Sequence, residues 1–200
     1  MKKIAVFASG NGSNFQAIID VVKSGELTAE ISLLVCDQPD AYAIDRANAA
    51  RIPSFVFKAK EYSSKAEYEQ AILSELKRYD VEFIVLAGYM RLVGPTLLGA
   101  YQGKIVNIHP SLLPAFPGKD AIGQALAAKA KWSGVTIHYV DEGMDTGPII
   151  VQERVKLEED ETRDSLQHKI QQIEHKLYPE ILQMLFTQGD VINDTKARAY

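Results

Sequence analysis

The chain reads as an α/β protein built on an open, mostly parallel, twisted sheet with helices on both faces, and three features say so. Through the first hundred residues, short β-rich runs alternate with longer helical patterns, the rhythm of a parallel sheet with right-handed crossovers. Two of the runs, residues 4–8 and 83–87, are continuously apolar, as strands covered on both faces must be. After residue 134 the rhythm changes to two β-rich runs with no helix between them, which predicts antiparallel strands near the C-terminal end.

Each element follows from its local pattern. Residues 4–8 predict the first strand, and Phe15, Ile18, Ile19 and Val22 then recur at helical spacing until Gly25 stops the helix. Residues 31–36 form a second strand and the Ala-rich stretch 42–50 a second helix. Residues 54–57 are a third strand, and Tyr68, Ile72, Leu73 and Leu76 mark a third helix. The fourth strand, 83–87, precedes a short helix over 95–101 that starts on Pro95, where a missing N–H costs nothing. A fifth strand covers 104–108, and the Pro-rich loop through Pro110, Pro114 and Pro117 leads to a short Ala-rich helix. Strands are expected at 135–140 and 149–155, then a long helix from about 162 to 186 with Leu166, Ile170, Ile173, Leu177, Ile181 and Leu185 as its buried stripe. The whole reads as a single domain over residues 1–188, a phosphate-binding half (1–103) and a catalytic half (104–188), with a polar, frayed tail at 189–200.

Composition narrows the function. At 200 residues, 46% hydrophobic and 24% charged, the chain suits one globular domain. A net charge of -4 with scattered Lys and Arg argues against a nucleic-acid binder. No apolar run is long enough to span a bilayer, and no secretory leader is apparent. The single cysteine, Cys36, lies in an apolar run and cannot form an internal disulfide. It reads as a small buried residue in a chain that works in a reducing, cytoplasmic compartment.

Two places carry chemistry. The run Ser9-Gly10-Asn11-Gly12-Ser13-Asn14-Phe15 joins a buried strand to a helix, so free backbone N–H groups face outward at the positive end of that helix. Ser13 or Asn14 is placed to cap it. Phe15 breaks the dinucleotide fingerprint and no P-loop Lys-Ser/Thr follows, which leaves one phosphate monoester as the expected anion and a tight, ligand-free turn as the alternative. Asn107 and His109 flank Ile108 at the end of the fifth strand and share a face. The carboxyl ends of parallel strands are where open α/β sheets hold ligands, so the phosphate loop and the Asn-x-His pair are expected on one rim. Asp145 lies in the Gly-rich loop 141–148. An amide, an imidazole and a carboxylate suit attack by an amine on an acyl-type carbon: Asn107 donates to the oxyanion, His109 donates or moves a proton, and Asp145 supports the imidazolium. The alternatives are a structural Asn-x-His and a metal site using His109, His138 and nearby acids. No metal-ligand spacing supports the second, so no metal is expected. His138 reads as making a structural hydrogen bond, and His168 and His175 as solvated helix residues.

The runs Asn107-Ile108-His109-Pro110-Ser111-Leu112-Leu113-Pro114, Phe116-Pro117-Gly118, residues 134–141 and Asp145-Thr146-Gly147-Pro148 resemble the folate-dependent formyltransferase superfamily. With the N-terminal phosphate loop, the likeness narrows to the branch that acts on glycinamide ribonucleotide in purine biosynthesis. It runs from residue 1 to about 186. The resemblance implies a Rossmann-like formyltransferase fold and transfer of a formyl group from 10-formyltetrahydrofolate, a cosubstrate, to the amine of glycinamide ribonucleotide. The alternatives are a hydrolase of the formyl-folate, the superfamily's methionyl-tRNA branch and a non-catalytic binding module. The resemblance assigns Asn107, His109 and Asp145 to catalysis, Gly12, Ser13 and Asn14 to the phosphate, and Gln171 and Glu174 to the ribose side. It assigns Met90, Arg91, Leu92, Val93, Asn107, Asp141 and Asp145 to the folate, with Lys65 toward the folate tail. Small molecules are the expected partners, not nucleic acid or membrane, and the chain is expected to be a monomer or homodimer. The stretch 128–133 departs from the pattern expected before Gly134.

Overall fold

The computed structural model describes residues 1–188, and the tail expected at 189–200 lies outside the described residues. Seven strands form one sheet. In chain order the elements are β1 (Lys2–Ala8), α1 (Ser13–Ser24), β2 (Ala29–Cys36), α2 (Tyr42–Ala50), β3 (Ser54–Val56), α3 (Lys65–Arg78), β4 (Phe83–Leu86), α4 (Pro95–Ala100), β5 (Ile105–His109), α5 (Ala121–Ala127), β6 (Trp132–Tyr139), β7 (Ile149–Lys156) and α6 (Arg163–Gln188). The strand order is β3-β2-β1-β4-β5-β6-β7. Pairings from β3 through β5 are parallel, and those of β5 with β6 and β6 with β7 are antiparallel. The expected fold class is the observed one.

Alternation along the central strands splits the core in two. Ile4, Val6 and Ala8 of β1 face a cluster with Phe15 and Ile18 of α1, Ala43 and Ala47 of α2, and Leu166, Ile170, Tyr178 and Leu182 of α6. Ala5 and Phe7 face the other way, against Ile72 and Leu76 of α3 and Leu97 of α4. From Ile4 to Ala8, β1 is fully buried because helices cover both faces, which is why that run shows no polar alternation. Gly25 ends α1 in the left-handed conformation, with its N–H on the Val22 carbonyl. The stripe expected on α6 is present: Leu166, Ile170 and Leu177 are buried, and Ile173, Ile181 and Leu185 pack partly buried on the same cluster.

Two expectations are corrected. β6 begins at Trp132, three residues before the expected start, because residues 132–135 pair with Arg154–Lys156 and Glu153 of β7 in a long hairpin. At the start of α1 the N-cap is Gly12, in the left-handed region at φ 73°, and no side chain caps the helix. The Asn14 amide donates instead to the Glu174 carboxylate of α6, at 3.0 Å.

Over β5 and β6, one face is covered by loops rather than by a helix. Asn107, His109, Thr136 and His138 emerge on it, while Val106, Ile108, Val135 and Ile137 point to the α1–α6 side. The Pro-rich segment after β5 is tied down there by Thr136, whose hydroxyl accepts from the Leu113 N–H and donates to the Ser111 carbonyl.

Candidate active site

A cavity of about 620 Å³ opens where these loops meet the sheet. The end of β1 and the start of α1 (Ser9 to Asn14), the turn after β4 (Ala87 to Val93), the end of β5 and the loop after β6 all contribute to it. Gln167, Ile170, Gln171 and Glu174 of α6 form a further wall. The phosphate loop and the Asn-x-His pair therefore share one cavity. They do not share one rim with the third catalytic candidate. β6 runs antiparallel to β5, with Tyr139 opposite Val106, so the β6–β7 loop departs near the amino end of β5 and folds back over the sheet to deliver Asp145.

Asp145 is the hub of a four-part cluster. Its Oδ2 accepts the Gly118 N–H at 2.7 Å and lies 3.4 Å from His109 Nδ1. Its Oδ1 lies 3.7 Å from His138 Nε2 and 3.5 Å from Asn107 Nδ2. Burial pushes its carboxyl up, but the neighbouring His138, the Gly118 N–H and His109 together outweigh that and hold it below the usual aspartate value. The carboxylate is thus the resident form at neutral pH. Asp145 also sits at φ 56°, so the loop holds a non-glycine residue in the left-handed region to present this group.

The histidines are oriented by backbone carbonyls. His109 Nε2 lies 2.9 Å from the Phe116 carbonyl, so its two ring nitrogens face a carbonyl and a carboxylate, and a doubly protonated ring would have an acceptor for each N–H. His138 Nδ1 lies 2.7 Å from the Tyr139 carbonyl. A neutral His138 with its proton there presents Nε2 as an acceptor to Asn107 Nδ2, 3.2 Å away. This aims the amide nitrogen of Asn107 toward the carboxylate. Asn107–Asp145 at 3.5 Å is at the outer limit of a hydrogen bond, so a better-placed oxyanion would compete for that N–H.

His138 is the member that sequence reasoning read as structural. It is buried and stands directly opposite Asn107 in the antiparallel register. Only that register reveals the pairing, and no local motif announces it.

The remaining candidates divide. Gly12, Ser13, Asn14, Met90, Arg91, Leu92, Val93, Asp141, Gln171 and Glu174 all line the cavity. Met90, Leu92 and Met144 are large apolar side chains left exposed at it, a surface suited to a flat aromatic ring system. Glu174 is buried, and burial outweighs the Asn14 hydrogen bond to push its carboxyl up to about 7. Lys65 does not line the cavity: it starts α3 behind the turn, where a side chain on Gly94 would lie 2.7 Å from Lys65 Cε. One supporting residue escaped notice altogether. Asp37, at the end of β2, is buried, accepts from Ser9 Oγ and binds Arg91 Nε at 2.7 Å, while Ser9 Oγ accepts the Met90 N–H. Asp37 thereby joins the β1 loop to the turn after β4.

Among the described residues, no group of three or more His, Cys, Asp or Glu is disposed to hold a metal ion, and no helix is long and apolar enough to cross a membrane.

Comparison with known proteins agrees with this geometry. The formyl transferase family model matches residues 2–182. The chain is 57% identical over 185 residues to the phosphoribosylglycinamide formyltransferase of Bacillus subtilis (strain 168), covering 92% of this chain and 95% of that one. A crystal structure of phosphoribosylglycinamide formyltransferase from Bacillus halodurans superposes with a TM-score of 0.92 at 56% identity, over 94% of this chain and 96% of that one. Glycinamide ribonucleotide transformylase 1 from Geobacillus kaustophilus gives 0.90 at 60% identity, over 92% and 98%.

Proposed function

From the premise that the chain belongs to the formyl transferase family, we propose that it transfers the formyl group of 10-formyltetrahydrofolate to the amine of 5'-phosphoribosylglycinamide, in the cytoplasmic synthesis of purines. One observation supports the reading beyond the family: a single cavity is lined by both the Gly-rich start of α1 and the Asn107–His109–His138–Asp145 cluster. The first suits a phosphorylated acceptor and the second suits acyl-type transfer.

The N–H groups of Gly12, Ser13 and Asn14 hold the phosphate, and Gln171 and Glu174 meet the ribose. Residues 90–93 and the loop 141–145 flank the pterin. The acceptor amine attacks the formyl carbon and a tetrahedral intermediate forms. Its oxyanion takes hydrogen bonds from the Asn107 amide and from His109, whose Nε2–H exchanges the Phe116 carbonyl for the stronger charged acceptor. The carbon–nitrogen bond to the folate then breaks. The proton lost by the amine passes to the folate nitrogen, with Asp145 as its relay and as the counter-charge to the imidazolium.

The test mixes the protein with 10-formyltetrahydrofolate and follows deformylation with and without glycinamide ribonucleotide. Acceptor-dependent turnover is expected, and turnover indifferent to the acceptor, or none, overturns the assignment. Within it, Asn107→Ala should lower kcat by about 10²–10³, the usual cost of one oxyanion donor. Near wild-type turnover would remove Asn107 from the mechanism.

A further inference from the structure

The phosphate loop needs a particular polarity. A backbone that offers N–H groups to an anion must turn its carbonyls away and find donors for them elsewhere. Here those donors come from α2. The Ala43 N–H, in the first turn of α2, donates to the Gly10 carbonyl at 3.1 Å. Arg46, one turn on, donates from Nε to the Asn11 carbonyl at 2.8 Å and from Nη2 to Asn11 Oδ1 at 3.0 Å. Its Nη1 reaches Gln16 Oε1 of α1 at 3.1 Å. The guanidinium is itself held, lying over the Tyr42 ring at 4.7 Å. The loop touches this face directly: a Cβ on Gly12 would lie 2.8 Å from Ala43 Cβ and 3.5 Å from Arg46 Cδ.

We propose that Arg46 is a positioning residue for the phosphate site, a three-pronged clamp outside the loop that draws the Asn11 carbonyl and side chain outward and leaves the Gly12–Asn14 N–H groups facing the anion. It does not line the cavity, so it acts through the loop and through its charge. That charge is felt across the gap between helices: after burial, Arg46 is the second cause that holds His175 of α6 below the usual histidine value. The phosphate loop has no lysine of its own, which makes this supporting cation more telling than it would be in a P-loop. The proposal rests on the phosphate role of residues 12–14 given above.

A purely structural Arg46, one that only fastens α2 to α1, would affect every acceptor alike. The discriminating experiment therefore measures KM and kcat of Arg46→Gln and Arg46→Lys with glycinamide ribonucleotide and with its dephosphorylated riboside. Arg46→Gln is expected to raise KM for the nucleotide about ten- to hundredfold, the range for losing charge-assisted hydrogen bonds. kcat and the KM for the formyl donor should change little, and the riboside should be used as well as by the wild type. Arg46→Lys, with the charge but not the fork, should recover part of the loss. An equal effect on both acceptors, or none on either, overturns the proposal. Calorimetric titration of wild type and Arg46→Gln with ribose 5-phosphate and with ribose needs no turnover. It separates failure of the clamp from failure of the assigned reaction: a phosphate-specific loss of affinity in the variant supports the clamp, and equal affinities in the two proteins overturn it.

Discussion

Burial of Glu174 beneath the Asn14 amide gives one carboxyl an unusual effect on stability. Its carboxyl sits at about 7 in the fold, against an ordinary value of 4.5. Between those values the unfolded chain has released the proton and the folded chain has kept it, so this residue lowers stability as pH rises across the window and adds no further change above it. Glu174→Gln lacks the titration. Its stability relative to the wild type should therefore rise between pH 5 and pH 8, by roughly 3 kcal/mol at most from a shift of this size. Urea unfolding of both proteins at the two pH values measures this, and a pH-independent difference would contradict it. Asp145 has the opposite sign: its lowered carboxyl contributes stability that is lost only as pH falls into the acid range. At this scale the sequence showed residue types at motif positions but not the partners that tune them. Asn107, His109 and Asp145 were legible from strand period, a loop and family likeness. His138 was not, since its partner is 31 residues away across an antiparallel register. Nor was the Asn14–Glu174 bond, which spans 160 residues and displaced the expected cap.

Helix α6 ties the halves of the sheet together through one buried hydroxyl. Tyr178 donates to the Leu86 carbonyl of β4 at 2.9 Å and lies 3.2 Å from the Val106 carbonyl of β5. Tyr178→Phe removes the donor and leaves strand carbonyls in the core without it, a change expected to cost about 1–3 kcal/mol. Denaturant midpoints check this, and an unmoved midpoint would mean that those carbonyls find other donors. Elements were well predicted where the pattern is amphipathic and long, as in α1 and α6, and where capping residues stand at the ends, as with Gly25. The start of β6 was missed because Ser133 and Gly134 are weak strand formers that separate the lone aromatic Trp132 from the apolar run. Only the facing strand of the hairpin makes a strand of them, with Arg154 stacking on Trp132 at 5.0 Å.

Taken whole, the sheet places β4 at its centre, beside its first strand, and its last two strands at one edge. The alternation of strands and helices announced parallel pairing, but strand order depends on which edges are free when each strand docks, and no residue encodes that locally. The cavity draws residues from Ser9 through to Glu174, so a ligand grips both ends of the described chain. Glycinamide ribonucleotide at a hundred times its Kd should stabilise the molecule by about 2.7 kcal/mol. Because the walls come from the ends of β1, β4, β5 and β6 and from α6, one cooperative transition should move. Fluorescence of Trp132, the chain's single tryptophan, at the start of β6, and far-UV circular dichroism should report the same midpoint. Separate midpoints would show that the halves unfold independently.

The Asn14–Glu174 bond also bears on the order of synthesis. A growing chain acquires the Gly-rich loop after β1 almost at once and the Asn107–His109–His138–Asp145 cluster by residue 145, yet the wall carrying Gln171 and Glu174 comes last. Until α6 docks, the cavity is an open trough that lacks the side formed by Gln167, Ile170, Gln171 and Glu174.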